Sequence, residues 1–300
     1  MRKSTKIWLI IATSLVVIGG IIFVGTMQKL KWDFTKLSTV KYETNEYVIQ
    51  EDYRNLTIIT DTSNVEIVMS EDTKTKVVCY EQKKLKHAVE IKNNTLEIEV
   101  DDTRKWYEYI GIDFESPKIT VYMPQGQYDS LSVKLDTGNV KISKEFEFER
   151  IEVLGNTGDI KNCASASGEI RLKTSTGHIE VVNISAGTIH IGVSTGDVKV
   201  TDVACQDIIS KGTTGNVSLK NVIAKEKISI ERSTGDVIFE ESDAQDILVK
   251  TNTGNVKGTL LSDKVYIVET NTGEIDVPKT TTGGVCEITT STGDIKIRVK

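Results

Sequence analysis

The sequence has little proline, few aromatic residues and no excess of positive charge. Its 300 residues include three prolines, and aromatic residues make up 6% of the chain, whereas glycine occurs 22 times. A core with so few large rings must be built from many small β-branched residues, which suits stacked β-strands better than a helical bundle. The formal net charge of −6 argues against a nucleic-acid-binding protein, because such proteins usually carry a basic surface.

Cysteine is also sparse, and its spacing excludes a disulfide framework. Disulfide-stabilised domains are short and dense in cysteine, and this chain is neither. The cysteines lie far apart and contain no C-x-x-C pair; they are Cys79, Cys163, Cys205 and Cys286. We expect them to be small, buried, apolar side chains.

One long hydrophobic run is present, close to the N-terminus. Over residues 7–27 the only polar side chains are hydroxyls, and a helix of this length spans a bilayer core of about 30 Å. We predict a transmembrane helix over 7–27 with residues 1–6 as a cytoplasmic tail, because Arg2, Lys3 and Lys6 precede the run. A cleaved signal peptide is the alternative, but the run is longer than a signal core and no small-x-small site follows it.

Most of the chain is a repeat of 19 or 20 residues centred on Thr-Gly. The residue before each threonine is Asp, Asn, Ser or Thr, and the residue after each glycine is Asn, Asp, His or Glu, which is a turn signal. The nine glycines are Gly138, Gly158, Gly177, Gly196, Gly215, Gly235, Gly254, Gly273 and Gly293.

Apolar residues alternate with a period of two on both sides of every turn, which is the period of a β-strand. Every repeat has Val or Ile two residues after the glycine, and the neighbouring inward columns are interrupted only at Asn162, Ser210 and Gly258. Stacked repeats of two short strands bury a continuous core. We therefore predict an all-β parallel β-solenoid of nine coils over residues 131–300, roughly 40 Å long. An antiparallel array of hairpins is the alternative, and the pattern does not give the handedness.

The outward positions show a second, longer period of two repeats. Four residues before the glycine, lysine occurs in every other repeat, at Lys134, Lys173, Lys211 and Lys250. If the coils stack in register, like charges stand two strands apart, at about 9.6 Å. Exposed charges at that separation are largely screened, so we interpret the alternation as a way to relieve repulsion along the rod.

The segment between the hydrophobic run and the repeats is less regular. Residues 28–50 are polar and charged and are predicted to form a stalk, whereas 51–130 contain strand-like runs without the period and are predicted to form an irregular β cap. Residues 61–64 look like a degenerate first turn with serine in place of glycine. We expect an aromatic insertion to plug the end of the core, as solenoid caps do, with a ligand-stacking platform as the alternative. Its aromatic residues are Trp106, Tyr107, Tyr109 and Phe114.

Two neighbouring stretches give the chain a family resemblance. Residues 118–124 read Lys-Ile-Thr-Val-Tyr-Met-Pro, and residues 131–142 form the first Thr-Gly strand pair. A strand ending in proline, a short link and a Thr-Gly pair open the core domain of the bacterial putative-adhesin β-strand-repeat family, which this chain resembles over about residues 55–300. The resemblance implies an extracytoplasmic solenoid, often tethered by one N-terminal helix and in some Gram-positive members encoded near envelope-stress systems. The family has no established function, so the resemblance implies no catalytic or binding residues.

Known catalytic motifs are absent from the sequence. It contains no serine-hydrolase elbow, P-loop or dinucleotide fingerprint, and its histidines have no metal-ligand spacing. We expect His87, His178 and His190 to be solvated or turn residues.

Three specific alternatives remain. The Gly-Asp turns resemble a calcium-binding β-roll, a β-helix enzyme would need converging carboxylates, and Thr-x-Thr pairs could form an ice-binding face. Those pairs are Thr174/Thr176, Thr251/Thr253, Thr270/Thr272 and Thr290/Thr292.

The sequence therefore predicts a protein that is not an enzyme, with no catalytic, cofactor-binding or metal-binding residue and no cofactor. We predict a single-pass protein of the cell membrane with a cytoplasmic N-terminus and an extracytoplasmic C-terminal domain. Its predicted role is a surface or adhesin-like binding scaffold for an envelope protein or polymer, without a nucleic-acid partner and with no oligomeric state indicated. The alternative is a regulatory or accessory subunit of an envelope-stress membrane system, and a remote alternative is a polysaccharide-active β-helix enzyme.

Overall fold

The computed structural model describes residues 3–106, 113 and 115–300, and it contains one long helix. Helix α1 spans Lys3–Lys29, and a short 3-10 helix follows at Phe34–Leu37. The segment Ser4–Lys29 is long and apolar enough to cross a membrane, and none of its most apolar stretch is buried against the rest of the chain. A signal sequence shares these features, so the helix is a candidate membrane anchor or signal segment.

The remaining elements in the described part of the chain are 22 strands in one hydrogen-bonded sheet. The strands before the repeats are β1 Tyr42–Ile49, β2 Asn55–Thr60, β3 Asn64–Met69, β4 Thr75–Gln82, β5 Leu85–Lys92, β6 Thr95–Asp102 and β7 Lys118–Met123. The strands of the first repeats are β8 Gln127–Thr137, β9 Val140–Ile142, β10 Glu147–Thr157, β11 Ile160–Asn162, β12 Ser165–Thr176, β13 Ile179–Thr195, β14 Val198–Thr214 and β15 Val217–Thr234. The last are β16 Val237–Ser242, β17 Asp246–Thr253, β18 Val256–Leu260, β19 Lys264–Thr272, β20 Ile275–Asp276, β21 Gly284–Thr292 and β22 Ile295–Val299.

The repeats stack as parallel coils, which confirms the predicted solenoid and excludes the antiparallel hairpin array. Each turn glycine except Gly273, in the last coil of the stack, donates its backbone N–H to the turn threonine of the neighbouring coil, as from Gly196 N to Thr214 O at 2.9 Å. The same hydrogen bond links all the Thr-Gly turns into one stack, a solenoid of about eight turns. The inward Val and Ile columns are buried along its length except in the coil at the far end, with Val217 and Val237 both fully buried.

Each interruption of the inward columns has a local cause. Asn162 is fully buried, and its side-chain amide closes a hydrogen-bonded turn with the backbone two residues later. Gly258 has φ 143°, and a Cβ there would lie 1.9 Å from the carbonyl oxygen of Phe239. Ser210 accepts a hydrogen bond of 2.9 Å from Nη2 of Arg232, which enters the rod from the next coil.

A third inward segment in each coil was missed by the sequence analysis. Six residues after the glycine, the long strands bend at a left-handed residue, with φ of 54° at Asn183 and 55° at Asp202. Asn and Asp adopt this conformation more readily than other non-glycine residues. The chain then buries Ile184 and Val203, so the coil has more inward surface than its two predicted strands.

The last two coils stack in reversed order. Strands β17 and β18 pair with β21 and β22 instead of with β19 and β20. Strands β21 and β22 pair on their other side with β19 and β20. The C-terminal coil is therefore inserted between the Gly254 coil and the Gly273 coil, and β19–β20 form the far end of the rod.

The inward residues of these two coils explain the order. In the C-terminal coil Cys286, Ile288 and Ile295 are at most 1% exposed, whereas Ile275 in the β19–β20 coil is 45% exposed. Tyr266 and Val268 of that coil are only partly buried. The regular coil thus fills the interior position, and the irregular coil caps the stack.

The N-terminal cap is built around a similar insertion. Strands β2 and β3 form the degenerate coil predicted at residues 61–64 and lie between β8–β9 on one side and β6–β7 on the other. Strands β4 and β5 then continue the sheet in antiparallel fashion. Strand β1 pairs with β4 over eight residues, so the stalk predicted for 28–50 is wrong from Tyr42 onward. Tyr47 and Ile49 explain the difference, because they pack against the core.

The predicted aromatic plug is not formed by Trp106, which is 79% exposed. The other members of that prediction, Tyr107, Tyr109 and Phe114, lie outside the described residues. A different group of rings packs where the cap meets the first coils, with ring centroids 5.6–6.4 Å apart. It consists of Tyr53, Tyr128, Phe146 and Phe148.

Candidate functional site

A ladder of side chains runs along the Thr-Gly edge of the rod. Oδ1 of Asp159 accepts the backbone N–H of His178 at 2.8 Å, and Nδ1 of His178 accepts the N–H of Asp197 at 3.1 Å. The same contact begins at Asn64 in the degenerate turn and continues to Glu274 at the far end. The position after the glycine therefore requires a short side chain with a hydrogen-bond acceptor, which Asn, Asp and His provide.

This ladder gives the turn acids a structural task. Lys296 lies between the two acids that are adjacent in the ladder, with Nζ 2.9 Å from Glu274 Oε2 and 3.0 Å from Asp294 Oδ2. The backbone N–H of Glu274 and then Lys296 hold the pKa of Asp294 below its usual value. The aspartates at these turns thus accept hydrogen bonds from backbone amides, and the two acids at the far end bind a lysine.

The Thr-x-Thr pairs do not form an exposed threonine face. Thr174 and Thr290 are each 1% exposed, and their hydroxyls donate to the carbonyl oxygens of Gly158 and Gly254 at 3.2 and 3.1 Å. The first threonine of a pair therefore points into the rod to satisfy a turn carbonyl. The ice-binding alternative is wrong, because it requires both threonines of each pair on the surface.

A buried polar cluster in the cap contradicts the expectation for His87. This histidine is 3% exposed; its Nδ1 lies 2.6 Å from Glu81 Oε2 and its Nε2 lies 3.0 Å from Thr60 Oγ1. Asn45 Nδ2 donates to the other oxygen of Glu81 at 2.7 Å, and the thiol of Cys79 is close enough that Cys79, Glu81 and His87 could share a metal ion. The residues come from four strands, so no local motif indicated them.

The cluster has catalytic geometry but little space. The Thr60 hydroxyl, the His87 ring and the Glu81 carboxylate follow one another in the order of a nucleophile, a base and an orienting carboxylate. The cavity beside Thr60 and His87 measures about 10 Å³, and a single water needs about that much. Both nitrogens of His87 and both oxygens of Glu81 already have protein partners. The arrangement therefore stabilises the cap and offers no room for a substrate.

The remaining candidate residues follow simpler patterns. His178 belongs to the turn ladder, and His190 lies 3.6 Å from Glu169 on the surface. The cysteines, all within the described part of the chain, are free thiols, and three are buried while Cys163 is partly exposed. Burial raises the pKa of Cys79, Cys205 and Cys286 to about 12, so these thiols are inert packing residues.

A cationic groove crosses five consecutive coils on one side of the rod. It has a volume of about 530 Å³, and Lys173, Lys211 and Lys250 line it together with Gly192 and Gly212. The register places Lys173 beside Gly192 and Gly192 beside Lys211, so the first two lysines are two strands apart. This is the predicted alternation of lysines along the rod, and the lining residues Gly192 and Gly212 have no side chains to fill the depression. We call it the lysine groove.

Arg232 lies at the floor of the lysine groove and is 3% exposed. Its Nη1 donates to Glu231 O at 3.0 Å and its Nη2 to Ser210 Oγ, but its Nε has no hydrogen-bond partner among the described residues. Its guanidinium lies under Gly212, where a Cβ would come within 2.7 Å of Nη1. Burial lowers the pKa of Arg232 to about 10. Among the described ion pairs none joins Arg232 to a carboxylate, so its charge is uncompensated.

The architecture is that of a parallel β-solenoid preceded by an apolar helix. The chain belongs to the Toastrack DUF4097 family, whose model matches residues 53–208 and 186–300. The match confirms the family resemblance deduced from residues 118–142. No match to a curated protein is found.

Several solved structures are similar to this chain. A putative adhesin from Bacteroides fragilis is 17% identical, with 86% of this chain and 97% of that chain covered and a TM-score of 0.47. A putative lipid binding protein from Parabacteroides distasonis is 13% identical, with 87% and 98% covered and a TM-score of 0.49. A putative adhesin from Parabacteroides merdae is 12% identical, with 86% and 96% covered and a TM-score of 0.45. Likeness at this level carries no information about function.

Proposed function

We propose that the protein is a non-enzymatic, extracytoplasmic binding scaffold, held at the cell membrane by α1 with its N-terminus in the cytoplasm. The lysine groove carries this proposal, because a solenoid displays the same outward position of successive coils in one straight row. The register runs from Lys173 through Lys211 and Glu231 to Lys250 without a shift. A row of regularly spaced groups suits an extended partner better than a small substrate.

The catalytic alternative has weak support. The buried Thr60–His87–Glu81 chain has a cavity of about 10 Å³ beside it, which is far below the 300–1,000 Å³ of ordinary ligand sites. Enzymatic activity in that cluster would require the cap to open. A binding scaffold needs no such rearrangement.

The second candidate is an accessory subunit that docks a membrane protein through its helix. The exposed apolar side chains of α1 favour it, since no part of its most apolar stretch is buried against the rest of the chain. The apolar side chains of such a helix can pack against lipid or against the transmembrane helix of a partner. The two functions place the partner on different parts of the molecule, so variants can separate them.

The test compares two variants of the full-length protein expressed in a Gram-positive host. One replaces Lys173, Lys211 and Lys250 with Met, and the other replaces residues 7–27 with an unrelated transmembrane sequence. We expect the lysine variant to lose co-purifying envelope material and the helix variant to keep it, with Lys257→Met as a surface control outside the groove. Loss with the helix variant alone would contradict the scaffold proposal and favour the accessory subunit.

The proposed orientation has its own test. A C-terminal epitope on intact cells should react with a membrane-impermeant reagent, because the positive residues before α1 favour a cytoplasmic N-terminus. Reaction only after the cells are permeabilised would place the rod in the cytoplasm and overturn the proposal.

A further inference from the structure

Arg232 is an unusual residue for the inside of a solenoid. It occupies a column whose members in neighbouring coils are Thr251 and Gly212, and the glycine leaves the space that the guanidinium fills. A buried cation without a carboxylate is strongly unfavourable. A chain that only needed to pack this coil would place an uncharged side chain here.

The lysine groove around Arg232 is also positively charged. Lys173, Lys211 and Lys250 are exposed along the groove, and the one acid among its lining residues, Glu231, pairs with Lys211 at 3.2 Å. The groove thus has an excess of positive charge in a protein whose formal net charge is −6. Such a local excess attracts anions even when the whole molecule is acidic.

The shape of the groove indicates an extended ligand. From Lys173 to Lys250 the groove crosses four strand spacings, about 19 Å, and its lysines recur at about 9.6 Å. A single phosphate or carboxylate could contact Arg232 but could not reach the lysines on both sides. A flat membrane surface could reach the lysines but not the floor.

We propose that the lysine groove binds a linear polyanion, with one of its oxyanion groups seated against Arg232 and neighbouring groups held by Lys173, Lys211 and Lys250. Nη1 and Nη2 of Arg232 each keep one N–H beyond the bonds to Glu231 O and Ser210 Oγ, and a guanidinium is a strong donor to oxyanions. This inference deepens the proposed function by naming the chemistry of the partner, and it therefore depends on the rod being the binding surface. Phosphate-bearing and carboxylate-bearing polymers share the required chemistry.

The experiment measures the affinity of full-length protein in detergent micelles for three probes. These are linear polyphosphate, polygalacturonate and inorganic phosphate. We expect at least one polymer to bind about tenfold or more tightly than inorganic phosphate, because several contacts act together, and its affinity should fall as salt is added. The polymer that binds more tightly identifies the oxyanion. Failure of both polymers to bind would overturn the proposal.

The decisive variant is Arg232→Met, which keeps much of the side-chain volume and removes the charge. We expect polymer affinity to fall about tenfold or more, while the melting temperature of the free protein rises because an unpaired buried charge has been removed. A purely structural arginine would give the opposite pattern, with a lower melting temperature and unchanged affinity. Lys257→Met is the matched control and should change neither quantity.

A second variant tests the proposal even if Arg232→Met does not fold. Lys173→Met combined with Lys250→Met removes two exposed charges and leaves the core intact, and it should also weaken polymer binding about tenfold. Unchanged affinity in this variant, or competition by phosphatidylglycerol vesicles as strong as that by polymer, would overturn the proposal. If envelope material is still captured through the rod face but added polymer does not compete, the scaffold function stands and only the polyanion inference fails.

Discussion

At the scale of single residues, the turn ladder lets acids alternate with neutral residues, because Asp, Asn and His all accept the same backbone hydrogen bond. Asp159 and Asp197 are separated by His178, and Asp197 and Asp236 by Asn216. From Asp159 to Asp236 like charges therefore stand about 9.6 Å apart, whereas Asp294 and Glu274 at the far end are adjacent. The hydrogen bonds of these side chains could not be predicted from the sequence. Each side chain accepts a hydrogen bond from the backbone N–H of a residue in the neighbouring coil.

A pair of substitutions tests the inside and outside of the rod. Val217 is fully buried, so Val217→Asp should cost several kcal/mol of unfolding free energy by burying an unpaired carboxylate. Asp236→Asn keeps the oxygen that accepts the Asn255 N–H at 2.8 Å and should change stability by less than about 0.5 kcal/mol. Denaturant unfolding of both variants checks this. Equal losses would show that the inward and outward columns are wrongly assigned.

The turn glycine gives a second prediction. Gly196 has φ 144°, and a Cβ there would lie 1.9 Å from the carbonyl oxygen of Gly177. We expect Gly196→Ala to cost more than about 2 kcal/mol, because the backbone conformation is nearly exclusive to glycine and the neighbouring coil cannot move away. Gly192→Ala is the control, since its Cβ would meet only the flexible side chain of Lys173 at 3.3 Å. A Gly192→Ala variant as unstable as Gly196→Ala would contradict this explanation.

At the scale of elements, periodicity predicted the strands that repeat and failed for those that do not. The columns before and after each Thr-Gly were correct because each coil repeats the same inward pattern. Strand β1 was assigned to the stalk, because its polar residues conceal the packing of Tyr47 and Ile49 against the core. The buried cluster of Thr60, Glu81 and His87 was missed, since strand pairing alone brings these residues together.

The C-terminal strand provides a clear correction. Lys296, Arg298 and Lys300 alternate with apolar residues along the last strand of the sequence, a pattern that can protect an exposed sheet edge. However, β22 lies between β18 and β20 and is not the open end of the rod. The three cations instead pair with acids, among them Asp276 and Glu241.

Replacing all three cations with Thr should consequently leave the oligomeric state of the protein unchanged from that of the wild type. We expect only a slightly lower melting temperature, with the difference shrinking at high salt, because exposed ion pairs contribute little and are screened. Analytical ultracentrifugation and thermal melting check both outcomes. End-to-end fibres of the triple variant would show instead that the three cations protect an open sheet edge.

At the scale of the whole molecule, both ends of the rod use the same device. Strands β2–β3 are inserted beneath the first regular coil, and strands β21–β22 are inserted beneath the last one. A coil that is paired on both sides cannot fray from its end without disrupting its neighbour. The spacing of the Thr-Gly repeat could not reveal this order, because the turn motif is the same in every coil.

Metal dependence is a property of the whole fold and has a direct check. The core is continuous from the cap to the final coil, and the turn acids bind backbone amides. We expect a chelator to leave the β-type circular dichroism and melting temperature of the full-length protein unchanged. A collapse of the signal that calcium reverses would revive the β-roll alternative, whereas reversal by zinc would assign a metal to the Cys79–Glu81–His87 cluster.

The central claim, that parallel coils stack with the C-terminal coil inserted, is tested most directly by cysteine cross-linking. Lys250 is the register partner of Thr289, and Thr289 is also the partner of Glu269. In a Cys163→Ser background, cysteines at 250 and 289 should form a disulfide, because neighbouring strands lie about 4.8 Å apart. Cysteines at 250 and 269 should not, because about 9.6 Å separates them. A disulfide between 250 and 269, with none between 250 and 289, would contradict the account.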